Sequence, residues 1–90
     1  MKAVFNVAIT KPGGGIKFAR KETEIDFMPV VGMQVEDSAW KDPVKVLSVC
    51  YGIESKDLFI TLENHDAENS QNQEYLLEMY KGHGWKAISE

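Results

Sequence analysis

The segment Val44–Glu63 reads VKVLSVCYGIESKDLFITLE, and its two halves carry different patterns. In the second half Leu58, Ile60 and Leu62 alternate with Phe59, Thr61 and Glu63, the period-two signature of a strand with one buried face. In the first half Val44, Val46 and Cys50 fall on one side while Leu47, Val49 and Tyr51 fall on the other. Apolar residues at both parities predict a central strand covered on both faces, so something must pack on each side of it. The mostly polar Gly52–Asp57 joins the two strands into a hairpin. Cys50, the single cysteine, lies between Val49 and Tyr51 and reads as core filling, since nothing nearby supplies the electropositive setting of a reactive thiolate.

Toward the N-terminus, Ala3, Phe5, Val7 and Ile9 alternate with more polar residues and form another strand. Lys11-Pro12-Gly13-Gly14-Gly15 then forces a turn. Ile16 and Phe18 have one parity and Ile25 and Phe27 the other, so a bulge or tight turn is expected near Arg20 to Thr23. Pro29 and Gly32 mark a bend before a short strand around Val31, Met33 and Val35. The loop from Asp37 to Pro43 carries Trp40. The portion from Phe27 to Glu63 resembles part of an SH3-like or OB-like barrel, with a Pro-x-x-Gly bend followed by three short strands.

Toward the C-terminus the period changes from two to helical. Ser70 and Gln73 fit a capping box, which starts a helix near Gln71, with Asp66 as an earlier alternative cap. Leu76, Met79, Tyr80 and His83 share a face with Leu77 beside them, Gln71, Glu74 and Glu78 point outward, and Gly82 stops the helix. Trp85, Ala87 and Ile88 form a last short strand or lie across the core. The fold expected is α+β: a small, strongly bent antiparallel sheet or partly open barrel of about four to six strands, with one C-terminal amphipathic helix. All 90 residues make a single domain, strand-rich over 1–63 and helix-containing over 64–90.

Composition narrows function mainly by exclusion. Hydrophobic residues at 43% and charged residues at 27% fit a soluble globular chain and speak against disorder. The lone cysteine forbids an internal disulfide and suggests the reducing cytoplasm. The apolar run Ala3–Ile9 is broken by Asn6 and falls short of the ~20 residues of a membrane span, so neither a leader nor a membrane segment is expected. Net charge is -4, which makes a polyphosphate backbone a poor main partner. The charge is nonetheless uneven. Lys2, Lys11, Lys17, Arg20 and Lys21 precede the first acid, whereas Asp57, Glu63, Asp66, Glu68, Glu74 and Glu78 lie between Lys56 and Lys81 with no Lys or Arg among them.

No catalytic pattern stands out. Ser38, Ser48, Ser55, Ser70 and Ser89 occupy turn, strand or cap contexts. His65 near Asp66 and Glu68 lacks the spacing of a metal site, His83 sits between two glycines, and the ordered calcium-loop pattern is absent. The triple glycine lacks the residues of a phosphate-binding loop. No cofactor or metal is expected. Trp40 is either a lid folded back on the core or a ring displayed for recognition, with the lid favoured because a small core gains from burying it. Trp85 faces the same choice. The first expectation is a non-enzymatic protein-interaction module, inhibitor or immunity-like, using Trp40, Asp66, Glu68, Glu74 and Glu78 toward a protein partner. Alternatives are a small nucleic-acid-binding barrel using Lys11, Lys17, Arg20 and Lys21, and an accessory or small-ligand domain completed by a homodimer.

Overall fold

The computed structural model describes Met1–Ile88; Ser89 and Glu90 lie outside the described residues. Its centre is β1 (Lys2–Thr10), whose alternation places Ala3, Val7 and Ile9 in the core beside the half-buried Phe5. The glycine turn returns the chain as β2 (Lys17–Glu24), antiparallel to β1 in an unbroken register from Ile9 opposite Lys17 to Lys2 opposite Glu24. The expected bulge near Arg20 is therefore absent. The parity changes because the chain leaves the sheet after Glu24, where Met1 and Ile25 exchange backbone bonds.

The segment after Ile25 crosses the sheet to β3 (Gln34–Val35), shorter than expected, which pairs with the start of β4 (Val44–Tyr51). β4 and β5 (Leu58–Leu62) form the hairpin read from the sequence. The bulge of this molecule lies here, between Val46 and Ser48. β5 then pairs with β1 in parallel, and β6 (His65–Asp66) continues along the same edge of β1. Helix α1 (Ser70–Gly82) leads to β7 (Lys86–Ile88), which adds antiparallel to β2.

The result is α+β, a seven-stranded sheet with order β3-β4-β5-β1-β2-β7 and β6 also on β1. It is open and mixed, since β5 and β6 both run parallel to β1. The strand number exceeds the expected four to six by one: β3 and β7 fall where short strands were expected, whereas β6, two residues long, carries no readable period. β4 is not the covered central strand. It lies one place from the sheet edge, and Leu47, Cys50 and Tyr51 are exposed. Cys50 accordingly belongs to the surface, not the core.

One face of the sheet is covered. Ala3, Val7, Ile9, Ala19, Val46, Leu58, Ile60 and Leu62 meet Leu77 and Tyr80 of the helix and Trp85 after it, with Met33, Val35 and Trp40 packed alongside. Each fully buried aliphatic side chain of this kind contributes roughly 1.5–3 kcal/mol. Among the described residues, no helix is long and apolar enough to cross a membrane.

The helix ends differ in detail from expectation. Its N-cap is Asn69, one residue before Ser70: the Asn69 carboxamide accepts the Asn72 N–H, and the Asn72 side chain accepts the Glu68 N–H in return. Gln73 is thereby released from capping. It is buried and its Nε2 donates to Ile9 O at 2.8 Å and Gly15 O at 2.9 Å, fastening the helix to both ends of the glycine turn. At the other end Gly82 is still helical and Gly84 takes the left-handed conformation, φ +87. Trp85 N–H bonds Tyr80 O and Gly84 N–H bonds Lys81 O, a Schellman closure that seats the Trp85 ring against Tyr80.

Candidate functional site

The loop from Asp37 to Pro43 is held to the end of α1 by one carboxylate. Asp37 accepts from Lys21 Nζ at 2.6 Å, Trp85 Nε1 at 2.9 Å and the Ala39 N–H at 3.0 Å. Lys21 also donates to His83 O and lies over the Trp85 ring. Burial alone would raise the Asp37 pKa, but the hydrogen bonds from Lys21, Trp85 and Ala39 outweigh it and hold the carboxyl below its ordinary value.

Three residues on, Trp40 folds back so that its ring meets Trp85, centroids 5.6 Å apart, and its Nε1 donates to Tyr80 Oη at 2.8 Å. It is half-buried, and Trp85 is fully buried. Tyr80 Oη lies 3.0 Å from His65 Nδ1. An indole N–H only donates, so Tyr80 Oη is the acceptor toward Trp40, while the direction of its bond with His65 Nδ1 follows the imidazole tautomer. Burial lowers the His65 pKa, opposed by the neighbouring Asp66, and raises that of Tyr80, opposed by the bond from Trp40.

Between this loop and the strand end lies a groove of about 510 Å³. Trp40, His65 and Tyr80 contribute aromatic surface, and Asp42, Glu63 and Asp66 contribute three carboxylates against the single ammonium of Lys41. The fold thus brings together Trp40 and Asp66 of the expected partner-binding set. It leaves Glu68, Glu74 and Glu78 elsewhere, exposed at the helix cap and along its outer side, where Glu74 pairs with Lys17 and Glu78 with Lys81. Asp42, Glu63 and Tyr80 were not candidates in the sequence. Their signal was membership of segments already singled out: Asp42 lies in the Trp40 loop, Glu63 in the acidic stretch and Tyr80 on the apolar face of the helix.

The cationic set expected for nucleic acid is divided. Lys17 and Lys21 share the face of Ala19, where Glu74 and Asp37 neutralise them. Arg20 projects from the opposite face and donates to Asn6 Oδ1, and Lys11 belongs to the glycine turn. No common stripe results.

Ser38 Oγ and His83 Nδ1 share a 2.9 Å hydrogen bond. The nearby carboxylate of Asp37 is committed to Lys21, Trp85 and Ala39, so among the described residues no carboxylate orients the imidazole as a general base requires. The pair ties the loop to the helix exit. Among the described residues no three His, Cys, Asp or Glu side chains gather as a metal site. Comparison with family models, curated proteins and solved structures finds no match to this chain.

Proposed function

We propose that this chain is a cytoplasmic, non-enzymatic protein-binding module whose groove beside Trp40 receives a basic side chain of its partner. The observation that carries the reading is the convergence of Trp40 and Asp66, 26 positions apart in sequence, on one groove with Asp42 and Glu63. An aromatic surface rimmed by carboxylates attracts a guanidinium or ammonium group through its ring faces and its charge together. An exposed, unpaired Cys50 fits a reducing compartment.

An NMR titration with an oligo-arginine peptide tests it. The expected result is selective shifts of the Trp40 indole N–H, His65 and Asp42, weakening with added salt and lost in the Asp42→Asn/Asp66→Asn variant. Shifts spread equally over Glu68, Glu74 and Glu78 would indicate general acidic attraction and sink the proposal.

A further inference from the structure

We infer that two copies of this chain join through the outer edge of β4, antiparallel and centred on Val49. β3 occupies that edge only at its beginning. Gln34 and Val35 pair with Lys45 and Val44, and the last bonds are Gly32 N–H to Val46 O at 2.9 Å and Val46 N–H to Met33 O at 2.8 Å. A turn at Gly32, φ +91, with Met33 N–H bonded to Val30 O, then takes the chain away. From Leu47 to Tyr51 no strand lies along the outer side of β4 among the described residues.

Edges left open in native proteins are usually blunted by charge or proline. From Val46 to Ile53 this chain has neither. Leu47 is 51% exposed, Tyr51 48% and Ile53 82%, and Val30 and Val31, next to the Gly32 bond, are 56% and 66% exposed. On a molecule of net charge -4, this is a stretch where two copies meet without opposing carboxylates.

The free segment selects its own register. It is bounded at one end by the Gly32–Val46 bond and at the other by the turn beginning at Gly52, so a symmetric antiparallel pairing centres on Val49. Leu47 then faces Tyr51 of the second copy and Ser48 faces Cys50 of the second copy. At each end Lys45 lies toward the point where Glu54 of the other copy emerges, a complementary pair formed twice. The bulge at Leu47 limits the regular ladder to a few residues, which makes the association weak and concentration-dependent. This surface is separate from the groove beside Trp40, and neither proposal depends on the other.

Sedimentation from micromolar to submillimolar concentration is expected to show the mass rising from 10.2 kDa toward twice that value. Hydrogen exchange at Leu47–Tyr51 should slow over the same range. The Leu47→Lys/Tyr51→Lys variant sets ammonium groups opposite each other and is expected to remain monomeric. Leu47→Lys/Tyr51→Glu restores opposite charges in this register and should associate about tenfold more tightly than the two-lysine variant. Directly opposed strand positions lie within disulfide reach, so oxidised Ser48→Cys should give a covalent dimer through Cys50 of the second copy while the wild-type chain does not. Circular dichroism verifies that each variant is folded. A mass that stays at 10.2 kDa throughout, or a folded Ser48→Cys protein that never cross-links, overturns the inference.

Discussion

The Tyr80 oxygen accepts from Trp40 Nε1 and faces His65 Nδ1, so one atom joins helix, loop and short strand. Tyr80→Phe leaves the Trp40 N–H and the His65 nitrogen without their partner, at a cost of about 1–3 kcal/mol, read from urea unfolding with circular dichroism as the probe. The same geometry gives a pH dependence. His65 has its pKa lowered by burial, against the smaller opposing effect of Asp66, so the unfolded chain binds this proton more readily than the folded one. Stability from this group is therefore complete above the ordinary value of about 6.5 and falls as pH drops from there through the lower folded value. Protonation makes both ring nitrogens donors, so Nδ1 can then only donate toward Tyr80 Oη. Thermal melts of wild type and His65→Phe across this range are the check: the wild-type dependence should flatten in the variant. Asp37 acts in a separate window. Its lowered pKa contributes stability above the usual 3.8, which is lost as pH falls through the folded value.

Helix α1 depends on two end structures that packing alone does not supply. Asn69→Ala removes the acceptor of the Asn72 N–H and should cost about 1 kcal/mol, measured as a shift in urea midpoint. Gly84→Ala should cost a similar amount, about 1 kcal/mol, because φ +87 strains any side chain even though a Cβ there would make only ordinary contact with Lys21. The helix body was legible in the sequence because Leu76, Leu77, Met79 and Tyr80 repeat at helical spacing. Its ends were less so: Asn69 and Ser70 are both good caps, and only backbone geometry chooses between them. Gln73 was misread because its chemistry suits a capping box, whereas its burial depends on meeting Ile9 O and Gly15 O from distant strands. β6 left no side-chain pattern at all, since parallel pairing with Ile9 and Thr10 holds it. β4 was misread for a related reason. Apolar residues at both parities indicate two covered faces only if the strand is central, and here several of them remain at an open edge.

At the scale of the whole molecule, the local hairpins β1–β2 and β4–β5 could be read from turns and alternation, but the parallel contact that unites them could not. It joins residues more than fifty positions apart, such as Phe5 opposite Ile60. The groove inherits this limit: Trp40 and Asp66 were separately visible, while their meeting depends on how β5 and β6 lie along β1. β1 is hydrogen-bonded on both sides, by β2 and by β5 with β6, whereas β3 and β7 form the edges. Native-state exchange should therefore release the amides of Val4–Ile9 only on global unfolding, and those of Gln34–Val35 and Lys86–Ile88 through smaller openings. Ile60 lies at the centre of the parallel junction with no exposed surface. Ile60→Ala should cost about 2–5 kcal/mol, a large part of the roughly 5–15 kcal/mol that holds a domain together. Its urea midpoint should fall much further than that of Leu47→Ala, whose side chain is half exposed on β4. If the two substitutions cost the same, the joining of the hairpins does not rest on the β1–β5 contact, and the slow exchange expected for β1 loses its physical basis.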